Sequence, residues 1–420
     1  FSDLYQGLIA DRLITNSPAV ASFTTSSGLV ALSDPNSAFA AVANSNNAFR
    51  SGFASGATLA DLQASVPLGF NPPNFNAVAN KLYNPKYYEW NFEVQHAFTN
   101  SYMLSVNYVG NKGYQEVNQT LFANEYSKKG FQGLPTSAPD PRFGEIRELN
   151  NDGWSNYNGM VSSFRWRKGS NFSGSVSYTW SHALDTCSNG CLEPFNALTA
   201  VSLRYQVSPL SLNAVNYSNA DYDVRHSLNA NYVYTLPNSY FHNWLTREVL
   251  GGWTAAGTVF WHTGYPFSVV DSGVRSKGGV KNASGIATQP FIADLTGGPI
   301  NASCTTPNTP CFSTDLFVPA SGQHNYGNIA RNSFRGPGYF DTDLTVNKTF
   351  SIHERFQLLI GANFFNLLNH PNFDLPVNNL ALGNFGTITS TVSAPTSAYG
   401  SFQGSAVSGR VIQTQVKLTF

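Results

Sequence analysis

Residues 221–226 read DYDVRH, which puts two carboxylates, a guanidinium and an imidazole within hydrogen-bond reach along the chain. Such a set invites acid–base chemistry, which requires the groups to converge on one reacting atom. On an extended segment successive side chains alternate, so Asp223 and Arg225 share a face and His226 takes the other. The pattern therefore predicts an ion pair between Asp223 and Arg225 on a water-facing wall, with no catalytic residue. Asp341 and Asp343 also share a face, and two carboxylates with loop oxygens are what a hard cation seeks. The D-x-[DN]-x-[DN]-G spacing is missing, so no metal site is expected there. Arg165, Arg167 and Arg355 are the cations expected to offset these acids on the same wet surface.

Other chemistry-bearing residues point the same way. His370 lies in NLLNHPNF, where Pro371 removes a ladder donor and the asparagines turn the chain, so a strand exit is expected rather than a ligand. No G-x-x-x-x-G-K-[ST], G-x-S-x-G or H-E-x-x-H pattern occurs, and neither an enzyme nor a cofactor is expected. The cysteines form two local pairs, Cys187 with Cys191 in CSNGC and Cys304 with Cys311 in CTTPNTPC. A zinc site is one reading, but the second spacing misses the usual C-x₂₋₄-C and no His-x-x-x-His accompanies it. Two short-loop disulfides in an oxidising compartment are the expectation.

The elements that would position these residues are strands. Charged residues are only 11% of the 420, aromatic residues reach 14%, and Lys+Arg balance Asp+Glu at 24 each. That balance gives no basic stripe for nucleic acid. No apolar run is long enough for a membrane-crossing helix. The N-terminal FSDLYQGLIADRL has no basic region leading into an apolar core and cleavage site, so any leader is expected to lie outside this sequence. Residues 1–86 are rich in Ala, Ser and Asn and are expected to be an extracellular loop region, with a short helix near 61–66 and a candidate tenth strand near 4–12.

From residue 87 to 420 the pattern changes to alternation with a period of two, the signature of strands with one apolar and one polar face. In YYEWNFEVQHAF, Tyr88, Trp90, Phe92, Val94 and Phe98 oppose Glu89, Asn91, Glu93 and Gln95. In NFSGSVSYTWSHAL, Phe172, Val176, Tyr178 and Trp180 oppose Asn171 and a ladder of Ser173, Ser175, Ser177, Thr179 and Ser181. Related alternation recurs in SYMLSVNYV, NYNGMVSSFRWRKG, DVRHSLNANYVYTL, GWTAAGTVFWHTG, YFDTDLTVNKTF, RFQLLIGANFF and GRVIQTQVKLTF. Nine such segments reach the ~9–11 residues that a tilted strand needs to cross a bilayer. Short turns at 99–100, 169–170 and 351–354 alternate with long links at 110–155, 184–222, 264–338 and 367–408. The 237–251 link falls on the short-turn side. This asymmetry predicts an all-β, antiparallel transmembrane β-barrel with long extracellular loops and a periplasmic C-terminus. A soluble β-sandwich would alternate too, but its outer faces would carry many Lys and Glu; these polar faces are mostly Ser, Asn, Thr and Gln.

Several blocks in one order, LSVNYVGNKG, SFRWRKGSNFSGSVSYTWSHALD, ADYDVRHSLNANYVYTLP, GGWTAAGTVFWHTGYPFSV, FRGPGYFDTDLTVNKTF and NFFNLLNHPNF, together with the terminal phenylalanine, resemble the C-terminal barrel half of TonB-dependent outer-membrane receptors, most closely the large Oar-like, carboxypeptidase-regulatory-domain type of Gram-negative bacteria. The resemblance implies a plugged barrel of about 22 strands, of which this chain would supply about nine or ten. It also implies outer-membrane lipid and the TonB system as partners. An N-terminal plug and the remaining strands would come from sequence outside this chain, or another chain would complete the barrel. The expected function is capture of a bulky ligand, whether glycan, peptide or other, by the loops and its passage through the barrel. A surface adhesive or structural protein anchored by the barrel, and a passive porin, are the alternatives. A plug and TonB box upstream would favour the receptor.

Overall fold

The computed structural model describes residues 35–65, 72, 75–120, 122–126, 134–144, 146–188, 216–271, 291–297, 306–319, 328–353, 356–392 and 409–420. Nine long strands carry the fold. They are β1 Lys86–Thr99, β2 Tyr102–Thr120, β3 Ile146–Lys168, β4 Phe172–Asp185 and β5 His226–Thr235. The series continues with β6 Thr254–His262, β7 Tyr339–His353, β8 Phe356–Phe365 and β9 Val411–Thr419. They lie side by side in sequence order as one sheet, each antiparallel to the next. Among the described residues β1 and β9 are its two edges and do not pair with each other, so the wall is an open part of a barrel.

Register makes the two faces continuous from strand to strand. One row runs Val94, Val106, Ser162, Tyr178, Leu228, Trp261, Phe340. The neighbouring row, on the opposite face, runs Gln95, Ser105, Ser163, Ser177, Asn229, Phe260, Asp341. Because the side-chain period is two, a slip of one residue anywhere would mix the faces. The parity predicted from sequence is thus kept across the wall. Glycines on the apolar face mark close approach: a Cβ at Gly174 would fall 2.4 Å from the Trp166 ring, and one at Gly257 2.6 Å from the Tyr232 ring. Each ring covers bare backbone on the adjacent strand, which shields those peptide groups from an apolar surround.

The apolar face is not a core. Phe92 is 70% exposed and Val416 73%, and Phe172, Trp180 and Ile360 are exposed as well. Tyr178 and Leu228 are partly exposed, each on the same face. Every residue of edge strand β1 is exposed on both sides. The buried cluster lies instead in the links at the long-loop end, where Phe267, Val269, Ala293, Cys311, Phe312, Phe317, Phe385 and Ile388 pack together. Two-residue ladders brace it: Val270–Asp271 with Phe291–Ile292, Asp294–Leu295 with Phe317–Val318, and Phe334–Arg335 with Pro266–Phe267.

Several boundaries differ from the sequence expectation. The link expected at 110–155 is shorter than foreseen, since β2 runs on to Thr120 and β3 begins at Ile146. Register shifts at Tyr114, Glu116 and Asn118, with Gln115 at φ 55°, break the alternation there. Such bulges hide a strand from any period-two reading. β5 starts at His226, so residues 221–225 form a turn rather than the first residues of a strand. Within 1–86, helix α1 spans Pro35–Ala54, longer than the short elements expected, and α2 spans Leu59–Ser65 near the helix foreseen at 61–66. Thr58 opens α2, its hydroxyl accepting from the Asp61 N–H while Asp61 accepts from the Thr58 N–H, a reciprocal cap. The strand expected near 4–12, Arg355, Cys191 and Cys304 lie outside the described residues.

Candidate functional site

The polar face of the wall is a ladder of neutral hydrogen-bonding groups. Ser163 and Ser177 hydroxyls meet at 2.8 Å, Asn231 donates to Ser175 at 2.9 Å, and Thr345 donates to Asn363 at 2.9 Å. Such groups satisfy one another and still present spare donors and acceptors to water or a passing solute. Arg165 and Arg167 stand exposed on this face near the short-turn end of β3. Arg165 shares a register row with Ser175, Asn231, Thr258 and Asp343. Four inter-strand steps, roughly 19 Å along the sheet, separate the two charges. Asp343 accepts from the Asn366 N–H at 3.0 Å and so anchors the exit of β8. Asn366 and Asn369 take positive φ there, and Asn366 bonds His370 in both directions, at 2.8 and 2.9 Å. Asp341 is half-buried, and its Oδ1 has no hydrogen-bond partner among the described residues.

Charge converges at the long-loop end. Asp223 sits in the turn before β5, its side chain fully buried. Its Oδ1 accepts from the Ala183 N–H at 2.7 Å, on β4. Its Oδ2 receives Arg225 at 3.2 Å and, more closely, Arg335. Arg335 also donates to the Asp223 carbonyl at 2.9 Å and the Gly264 carbonyl at 3.1 Å. A second knot lies beside it. Arg331, 1% exposed, pairs with Asp185 at the end of β4 and with Asp221 at 2.9 Å. Asn332 donates to Asp221 at 2.7 Å and to the Asn219 carbonyl at 2.9 Å, and Ser188 donates to Asp185 at 2.7 Å.

The electrostatics of this cluster follow from its burial. Desolvation alone would weaken the Arg331 charge, but Asp185 and Asp221 outweigh it and hold the guanidinium above its ordinary range. Removing one member of such a set strands the others in a dry site, at a cost of ~3–5 kcal/mol. Tyr265, in the adjacent link, is pushed up to about 12 by burial. Farther out, in the link between β2 and β3, hydrogen bonds from Arg142 hold the Asp140 carboxyl below its usual range. Among the described residues no group of three or more His, Cys, Asp and Glu is placed to hold a metal ion.

The structure therefore brings together Asp223 and Arg225 of the predicted residues, and keeps Arg165 and Arg167 away from Asp341 and Asp343. Sequence reasoning did not anticipate Arg331, Arg335 or Asp185 as their partners. Asp185 and Arg335 stand in the very blocks that carried the family resemblance, SHALD and FRGPGYF, which was the available signal. Cys187 and Cys311 are buried, and no described cysteine is free.

An antiparallel wall in register, apolar and exposed on one side and amide-lined on the other, with its core displaced into the links, is part of a transmembrane β-barrel. The chain belongs to the family described as outer membrane beta barrel domain, whose model matches residues 4–413. It is accordingly an outer-membrane protein. Among solved structures it is similar to the outer membrane transporter YddB from Escherichia coli, at 12% identity and TM-score 0.43, over 87% of this chain and 36% of that one. It is also similar to the FrpB iron transporter from Neisseria meningitidis, at 11% identity and TM-score 0.35, over 72% and 30%. A third is the copper transporter OprC, at 10% identity and TM-score 0.34, over 82% and 33%. The chain thus spans about a third of the length of these transporters. No curated protein is significantly similar to it in sequence.

Proposed function

We propose that this chain is a stretch of barrel wall and outer loops from a TonB-dependent receptor of the Oar-like type, in which it forms the C-terminal portion. In this reading residues 87–420 are wall and loops, and residues 1–86 belong to an extracellular loop region. The long links face outward and the C-terminus lies in the periplasm. A plug and further strands, from sequence outside this chain or from another chain, complete the barrel, and the TonB system supplies energy. The loops capture a bulky ligand, whether glycan, peptide or other, which then passes along the Ser, Asn and Thr face once the plug moves. Cys187 pairs with Cys191 and Cys304 with Cys311, each stapling a long loop. No residue acts as a catalyst.

One observation supports this reading best: the wall has a continuous hydrogen-bonding face made mainly of neutral groups, while buried charge gathers in loops knotted by Asp223, Arg335 and Arg331 at one end. A solute-conducting surface and a fixed outer mouth are the two things such a receptor needs. The test is planar-bilayer conductance of the full-length protein. The receptor reading expects little steady current from the intact protein and a large pore when the plug segment is deleted. A steady open pore from the intact protein would favour a porin instead.

A further inference from the structure

The link between β5 and β6 contains a third helix, α3 Trp244–Leu250, at the short-turn end of the wall. Asn243 caps its start, accepting from the Leu245 N–H at 3.0 Å. Its far end is tied down by two side chains that both belong to the lipid-facing set. Trp253, at the base of β6, donates its indole N–H to the Val249 carbonyl at 2.9 Å. Lys348, on β7 between the outward Val346 and Phe350, donates to the Gly251 carbonyl at 2.6 Å and to the Glu248 carbonyl. Lys348 is only 5% exposed although its cross-strand partner on that face is Ile360. A lysine on a lipid-facing strand is costly unless its charge is satisfied, and the carbonyls at a helix C-terminus, the negative end of its dipole, do that.

These contacts seat the helix against the outside of the wall. Among the described residues no protein covers its apolar side chains: Trp244 is 73% exposed, and Leu245, Val249, Leu250 and the preceding Tyr240 are exposed too. The exposed set continues the apolar outer face of β5–β7 past the end of the strands, with Arg247, Glu248 and His242 interspersed. An apolar surface continuous with a lipid-facing belt, carrying Trp and Tyr and mixed with charge, fits the boundary between acyl chains and headgroups.

We propose that the 237–251 link is a membrane-interface anchor: α3 lies against the wall at its short-turn rim and inserts Trp244, Leu245, Val249 and Leu250 into the headgroup–acyl boundary of the leaflet there. Lys348 and Trp253 are the clamps that fix its depth. The assignment rests on the outer-face reading of the wall but not on the ligand or the TonB system. The occupant is lipid; a second copy of the chain or a water-facing surface are the competing outcomes.

The test uses the full-length protein in phosphatidylcholine vesicles brominated near the carbonyl end of the acyl chains or near the methyl end. The contribution of Trp244 is the difference in fluorescence between the parent and Trp244→Phe. The Trp180→Phe difference reports a residue of the wall itself. The anchor predicts that the Trp244 signal is quenched about twofold more by the shallow bromines than by the deep ones. Absence of quenching at Trp244 by either lipid, with Trp180 quenched, overturns the anchor and leaves the wall intact. Stronger quenching by the deep bromines overturns it as well. If neither tryptophan is quenched, the outer-face reading itself fails and takes the anchor with it. As a second readout, Lys348→Met is expected to change the shallow-to-deep ratio for Trp244 while leaving that of Trp180 unchanged; no change removes Lys348 from its clamping role.

Discussion

The nine-strand wall and the loop cluster above it obey opposite burial rules within one chain. In the wall, Phe92, Trp180 and Val416 point outward and stay exposed, and hydroxyls and amides fill the other side. In the loops, Phe267, Phe312, Phe317 and Phe385 turn inward and touch one another, at ring distances of 5.5–6.2 Å where Phe312 is one partner. The amino acids are alike; the solvent differs. Lipid is as apolar as a protein core, so the wall has nothing to gain from turning its aromatics inward, whereas loops in water must make a core of their own. Charge divides in the same way. The arginine–aspartate knots lie where loops shield them, and the wall carries mainly neutral polar groups.

Substitutions that respect one rule and break the other should separate the two regions. The largest effect is expected from Arg331→Met, which leaves Asp185 and Asp221 buried without their cation, a loss of ~3–5 kcal/mol to the loops. Protease cleavage in residues 328–338 should rise steeply while the heat-modifiable migration of the barrel on gels stays unchanged. Loss of the folded gel form as well would show that the knot supports the wall too. Phe317→Ala should cost a similar ~3–5 kcal/mol by opening a cavity in the loop core. Ile360→Ala on the wall should cost clearly less, because lipid closes over the gap, and equal costs in urea-unfolding measurements would erase the distinction.

Leu228→Arg should lower the stability of the wall by ~2–4 kcal/mol if that face meets the bilayer interior. Asn229→Arg, one residue on, should cost about 1 kcal/mol or less on a watered face. Titration by urea in lipid vesicles reads both, and a reversed order would invert the faces. The smallest effect is expected from Ser177→Ala, which removes one rung to Ser163 at ~0.5–1.5 kcal/mol. A larger loss would mean that the ladder is dry.

The contrast also explains what could be read from the sequence. Strand parity was legible from Tyr88 to Leu418 because each face meets a single solvent, so alternation survives in the composition. It faded where solvent is the same on both sides. The upper parts of β2 and β3 stand on bulges around Gln115, and α1 is mostly Ala, Ser and Asn, with Phe39, Val42, Phe49 and Phe53 as its few large apolar residues. Of the charged site, Asp223 with Arg225 was visible because they lie two positions apart. Arg331 with Asp185 was not, since they stand 146 positions apart and no local pattern encodes a contact made by loop closure.

The central claim is the identity of the two solvents, and it can be tested along one strand. Nitroxide labels stepped singly from residue 172 to 181 on β4, in vesicles, would report collision with oxygen, which concentrates in lipid, or with a nickel chelate, which stays in water. The account predicts strict alternation, with even positions favouring oxygen and odd positions favouring nickel. Even positions sheltered from both reagents would mean that Phe172, Val176 and Tyr178 face a protein interior, and the membrane wall would have to be abandoned.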